Sequence, residues 1–128
     1  MNRVPHENPN VGQSALRLSY VWLYVKDTQR SIRFYHDVLG LSTIETFPDG
    51  ALLNGGGVLL GIHKEEGDRK SKPGGTVMNL TAKDIKAAHG ELQKRGIKFL
   101  TEIQKDSFGQ VVSFRDPDGY LLELWQPP

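Results

Sequence analysis

The chain carries a faint copy of one of its own strands, and a duplicated strand implies a duplicated fold. Asp116-Pro-Asp-Gly-Tyr-Leu-Leu-Glu-Leu-Trp125 aligns with Asn54-Gly-Gly-Gly-Val-Leu-Leu-Gly-Ile-His63 at a constant offset of 62 positions (57 to 119). Gly57 meets Gly119, Leu59 meets Leu121 and Leu60 meets Leu122. At that offset Glu123, an ionisable residue inside an apolar strand, stands opposite Gly61. One half keeps a carboxylate and the other has none.

The flanking segments repeat as well. Residues 16–25 alternate as a strand, with Val21, Leu23 and Val25 on one face and Tyr20, Trp22 and Tyr24 on the other. Asp27 or Thr28 caps the helix that follows. Ile32, Tyr35, Val38 and Leu39 form its apolar stripe, and Gly40 suits its end. Strands are predicted at 41–46, 51–53 and 58–63, with Pro48-Asp-Gly50 turning between the first two. In the second half, Met78, Leu80 and Ala82 alternate with Val77, Asn79 and Thr81. Lys83-Asp84 echoes Lys26-Asp27, and a helix carries Ile85, Ala88 and Leu92 as far as Gly96. Strands are predicted at 98–103, 111–114 and 120–125, with Phe108-Gly109 as a turn.

The fold class is therefore α+β. Two βαβββ modules form cupped mixed sheets around a central cavity, with helices on the outer face. Residues 1–15 read as a flexible N-terminal arm, 16–67 as the first module, 68–75 as a linker and 76–128 as the second module. At 128 residues the whole is one structural domain, because a half of this size is marginal alone. The formal net charge is +1 with scattered Lys and Arg, which argues against a nucleic-acid or membrane partner. There is no cysteine, so thiolate and disulfide chemistry are excluded. No run reaches transmembrane length and no hydrophobic leader is visible, so a cytoplasmic protein is expected.

The helices need apolar partners, and the aliphatic strand faces supply them. Tyr20, Trp22, Tyr24, Leu59, Gly61, His63, Asn79, Leu121, Glu123 and Trp125 then converge on the other side. A mostly apolar face with few polar groups is the usual composition of a ligand site. An unpaired Glu123 carboxylate among leucines would be desolvated, so it needs a partner. That partner is a metal, a cationic or donor ligand, or Tyr20 or Asn79 across the site. His63 lies two residues beyond Gly61 on the same face, as a general base or substitute ligand, but the strand gives it no fixed partner. Tyr20, Trp22 and Tyr24 form an aromatic row suited to flat or hydrophobic ligands, and Trp125 closes the opposite end. His6, His36 and His89 read as surface residues, and Glu45, Glu65, Glu66 and Glu102 as a solvated set.

Val25-Lys-Asp27, Phe34-Tyr-His-Asp-Val-Leu-Gly-Leu41 and Asp116-Pro-Asp-Gly-Tyr-Leu-Leu-Glu123 together resemble the vicinal oxygen chelate superfamily. Glyoxalase I, bleomycin-resistance proteins and extradiol dioxygenases belong to it. The resemblance covers about residues 16–126 and implies paired βαβββ modules, commonly in homodimers. Metal-dependent members place one ligand on the first and last strand of each module, positions that here hold Tyr20, Gly61, Val77 and Glu123. Only Glu123 matches, and one carboxylate does not hold a divalent ion. No cofactor is expected, and bound Ni, Zn, Mn or Fe is disfavoured. The resemblance thus implies a homodimer that binds a small organic molecule in a cavity with a degenerate metal site. The other activity it implies is a metal-dependent lyase, isomerase or dioxygenase using Glu123 and His63 with a ligand from elsewhere. A third class is a structural or regulatory dimer with a filled core. Bleomycin itself fits poorly, since the balanced charge supplies no strongly acidic groove.

Overall fold

A computed structural model describes residues 15–128. The arm expected at 1–15 lies outside the described residues apart from Ala15. The first sheet contains β1 (Tyr20–Val25), β2 (Thr43–Phe47), β3 (Gly50–Asn54) and β4 (Leu59–Lys64), in the order β1-β4-β3-β2. The second contains β5 (Val77–Thr81), β6 (Gln104–Asp106), β7 (Gly109–Arg115) and β8 (Leu121–Gln126), in the order β5-β8-β7-β6. In each, the first and last strands run parallel and the other pairings are antiparallel. The duplication seen in the sequence is thus a duplication of topology.

Helix α1 (Thr28–Ile32) starts at Asp27, whose carboxylate accepts from Arg30 N at 3.0 Å. Helix α2 (Ile85–Lys94) starts at Asp84 in the same way, accepting from Ala87 N at 3.1 Å. Each cap contributes about 1 kcal/mol by satisfying an otherwise orphaned amide. Beyond Ile32 the chain widens into a π turn over Arg33–Val38. The wider turn brings adjacent side chains closer in direction. Phe34 packs on Phe114, and Tyr35 reaches Asp116.

One continuous core joins the modules. Leu23, Val25, Leu53 and Ile62 from the first half pack with Ile85, Leu92, Phe114, Leu122 and Leu124 from the second. Leu23, Val25, Ile62, Leu122 and Leu124 lie on the aliphatic faces expected to meet the helices, whereas Val21, expected with them, is exposed at the free edge of β1. One expected strand is displaced. Residues 98–103 form no strand and bend at Leu100 and Thr101; Leu100 N donates to Ser113 O of β7 at 2.9 Å, and the ladder pairing falls on β6 instead. The alternation of Phe99 and Ile103 is satisfied by packing against the core, and Phe99 stacks on His89 with ring centroids 4.2 Å apart. His89 is therefore held by an aromatic partner rather than lying free on the surface.

The turn between β7 and β8 locks the modules together. Asp116 is 5% exposed. Its Oδ1 accepts from Asp118 N at 2.9 Å and Tyr120 N at 2.8 Å, and its Oδ2 from Tyr35 Oη at 2.7 Å. Asp118 accepts from Lys26 N at 3.1 Å and from Arg30 at 3.2 Å. Tyr120 Oη donates to Tyr24 O at 3.1 Å and accepts from Lys72 N at 3.2 Å. Burial pushes the Asp116 carboxyl above the ordinary range, although its three donors pull the other way. Burial, then the Asp116 charge and hydrogen bond, raise the Tyr35 phenol far above its ordinary value. The most recognisable motif of the sequence is thus an inter-module clamp.

Candidate functional site

The parallel pairing of β1 with β4 sets Trp22 beside Gly61 and Tyr24 beside His63. The Trp22 indole lies across Gly61. A Cβ placed on Gly61 would stand only 2.7 Å from indole Cδ2 and Cζ3, far inside van der Waals contact. Around this ring sit Tyr20 at 5.6 Å, His63 at 5.8 Å and Phe47 at 6.1 Å, measured between ring centroids. Tyr24 lies 5.5 Å from His63, and Phe47 lies 6.3 Å from it. Phe47 was not among the residues singled out in the sequence. It arrives through register, since both Phe47 and His63 pair with Gly50.

His63 has the fixed partners that its place at a strand end did not suggest. Its Nδ1 donates to Lys64 O at 2.6 Å, and its ring is held among three aromatic rings. Its Nε2 lies 4.0 Å from the Glu66 carboxylate. A short bridge between Glu66 and Arg69 folds the following loop back over this face. Arg69 there donates to Tyr24 Oη at 3.1 Å. Glu65 is also engaged, accepting from Ser71 N at 2.8 Å.

On the second sheet, β5 and β8 run parallel with Asn79 in register with Glu123. Asn79 Nδ2 donates to Glu123 Oε1 at 2.9 Å. The half-buried carboxylate therefore has a donor, and it is Asn79 rather than Tyr20, which packs on Trp22 instead. Trp125 lies two residues on, and its Nε1 donates to Phe108 O at 2.9 Å. The seven residues expected at the site thus fall into two groups. Tyr20, Trp22, Tyr24 and His63 line the first sheet; Asn79, Glu123 and Trp125 line the second.

The four positions at which metal-dependent members carry ligands do not fit a divalent ion here. Gly61 offers no donor, and the space a side chain would need is filled by indole. Tyr20 and Val77 are 45% and 53% exposed, and Val77 carries no donor atom. Glu123 alone is a hard oxygen ligand, and Asn79 already engages it. Among the described residues no group of three or more His, Asp or Glu side chains is placed to hold a metal ion. Also among them, no helix is long and apolar enough to cross a membrane.

Residues 17–124 match the model of the family described as the Glyoxalase/Bleomycin resistance protein/Dioxygenase superfamily. Glutathione transferase FosA of Serratia marcescens is 28% identical over 112 residues, covering 84% of this chain and 78% of that protein. Virulence protein STM3117 of Salmonella typhimurium is 28% identical over 120 residues, covering 86% and 83%. The crystal structure of TnmS3, an antibiotic binding protein from Streptomyces sp. CB03234, is similar with a TM-score of 0.74 at 22% identity. That match covers 90% of this chain and 99% of TnmS3, and it is a likeness of fold.

Proposed function

The chain belongs to the Glyoxalase/Bleomycin resistance protein/Dioxygenase superfamily, and from that premise we propose that it binds a small aromatic or hydrophobic molecule without a metal. The observation that carries this reading is the Trp22 indole across Gly61. Where a metal-dependent relative needs a ligating side chain, this chain places a flat apolar ring. Phe47, His63, Tyr20 and Tyr24 extend it into an aromatic wall. Stacking on such a wall adds about 0.5–1.5 kcal/mol per ring pair beyond area burial. TnmS3, which shares the fold, is described as binding an antibiotic, and a planar antibiotic is a ligand this wall suits.

The second part of the proposal is a homodimer. β1 and β5 each lie at the edge of their sheet, and Tyr20, Val21 and Val77 are exposed along those edges. An open apolar strand edge is an aggregation hazard unless covered, and a second copy would cover both at once.

Titration with a panel of planar antibiotics and aromatic metabolites, read by tryptophan fluorescence, tests the binding reading. Saturable quenching is expected, weakened at least about tenfold by Trp22→Ala, the loss of a central aromatic anchor. Stoichiometric binding of Ni²⁺, Zn²⁺, Mn²⁺ or Fe²⁺, abolished by Glu123→Gln, would overturn it in favour of a metal-dependent enzyme. No response to any member of a broad panel would leave the aromatic wall as packing only.

A further inference from the structure

A concave site lies away from the aromatic wall, where segments of both modules meet. These are the π turn over Arg33–Val38, the residues that follow α2, and the start of the turn between β7 and β8. The cavity there has a volume of about 340 Å³, within the range of small-ligand sites. Its floor is apolar, formed by Phe34, Val38, Ile97, Leu100 and Pro117. Three cations, Arg95, Lys98 and Arg115, also line it.

The site is held in shape by its own bonds. A π turn is wider than an α-helical one, and such turns often mark functional sites. Here the turn sets Phe34 and Val38 on the cavity. The Val38 carbonyl accepts from Arg95 Nη1 at 2.8 Å, which draws that guanidinium to the rim. Glu91 fixes the same guanidinium, with Nε and Nη2 each 3.3 Å from its Oε1. Arg115 is anchored by donating from Nη1 to Gly119 O at 3.0 Å. Leu100, although apolar, is 51% exposed.

The positive charge is not cancelled within the protein. Among the described residues no carboxylate pairs with Lys98 or Arg115. Asp116 lines the cavity, but its two oxygens already accept from three donors. Glu91 is the partner of Arg95. Arg115 keeps donors beyond the one that Gly119 engages.

An apolar floor beneath an excess of positive charge matches an anion with a hydrocarbon body. The planar fork of an arginine fits a carboxylate through parallel hydrogen bonds. We propose that this cavity binds a small organic carboxylate, its charge met by Lys98 and Arg115 and its hydrocarbon body laid on Phe34, Val38, Ile97 and Leu100. The site shares no residue with the wall of Tyr20, Trp22, Tyr24, Phe47 and His63, so it is independent of the function proposed above.

The test uses the full chain and two probes of similar shape, hexanoate and the neutral hexan-1-ol. Binding is read from the backbone amide signals of Gly96 and Ile97 in a nitrogen-correlated NMR spectrum. Hexanoate is expected to shift them saturably. The alcohol should be at least about fivefold weaker, and the gap should shrink as salt is raised. Lys98→Glu reverses one charge at a side chain that bonds to no other described residue. It should weaken hexanoate at least about fivefold, leave the alcohol unchanged and unfold at the wild-type temperature. Inorganic phosphate carries the charge without the body, and should bind at least about fivefold more weakly than hexanoate. Equal response to hexanoate and hexan-1-ol, unchanged hexanoate affinity in Lys98→Glu, or phosphate as tight as hexanoate would each overturn the proposal. A planar aromatic in the same samples reads the Trp22 indole signal, assigned by Trp22→Phe. If that signal moves while hexanoate leaves Gly96 and Ile97 unmoved, this site is wrong and the aromatic-wall function stands. If hexanoate binds as expected and no aromatic moves Trp22, this site stands and the aromatic-wall function falls.

Discussion

The two modules share a topology and a helix cap, and each sets a tryptophan against a glycine. They differ in where that pair lies. In the first module Gly61 sits mid-sheet, so the Trp22 ring occupies the centre of the face. In the second, Gly109 sits at the start of β7, so Trp125 lies toward the sheet end and leaves the centre to Glu123 and Asn79. The turns preceding β4 and β8 diverge in the same manner. Among the described residues the Asn54 side chain accepts only from Gly56 N, at 2.8 Å within its own turn. Asp116 and Asp118 reach across to Tyr35, Arg30 and Lys26. Duplication has preserved the backbone, while a few side chains per half decide what each half does.

The sharpest way to break the comparison is at these turns. Asp116→Ala should cost about 3 kcal/mol or more, because it strands the buried Tyr35 hydroxyl and two backbone amides. Asn54→Ala, the equivalent change in the first module, should cost less than about 1 kcal/mol. Urea denaturation of the two variants measures the contrast, and equal losses would remove the clamp from the description. The pH dependence has a definite sign. Burial raises the folded Asp116 carboxyl above the ordinary 3.8. Its favourable contribution is complete below that value and is lost as pH rises through the folded value. Wild type should therefore lose stability relative to Asp116→Asn as pH rises above the ordinary carboxylate value. Tyr35 is raised above its ordinary 10.0, so its contribution holds below that pH. Above it the unfolded chain ionises first, and stability should fall by about 1.4 kcal/mol per pH unit.

The glycines come next. A Cβ on Gly109 would strike the backbone at Gln126, and φ there is +117°. Gly109→Ala should cost about 2–3 kcal/mol, and Trp125→Ala should give no relief, because the obstacle is main chain. The three atoms nearest a Cβ on Gly61 all belong to the Trp22 ring. Gly61→Ala should cost about 1–2 kcal/mol, and Trp22→Ala should relieve most of that clash. A double-mutant cycle at each pair checks this. Coupling at Gly109 and Trp125 as strong as at Gly61 and Trp22 would erase the distinction.

How much of this was legible depends on what each feature rests on. The strand faces were readable because alternation is local: Leu23, Val25, Leu122 and Leu124 are buried where it placed them. The caps at Asp27 and Asp84 were readable for the same reason. Residues 98–103 misled because Phe99 and Ile103 alternate for a core contact, while a single bond from Leu100 N to Ser113 O ties the segment to β7 without making a strand. The π turn has no local sign, since it is Tyr35 seeking Asp116 across the module boundary. Phe47 was invisible until the register through Gly50 placed it beside His63. The mismatch at Gly61 was legible from the internal alignment. That an indole fills the gap required a structure.

The smallest effect expected is at the residue where the two halves differ most in charge. Glu123→Gln keeps an oxygen for Asn79 Nδ2, and the side chain is half-buried beside a cavity. Loss of a charge with its hydrogen bond retained should change stability by less than about 0.5 kcal/mol. Asn79→Ala removes the donor and should cost about 1 kcal/mol. If the negative charge itself stabilised the fold, the order would reverse, with the charge change costing more than loss of the donor. The difference between the two unfolding free energies therefore separates what the bond to Asn79 contributes from what the negative charge itself contributes.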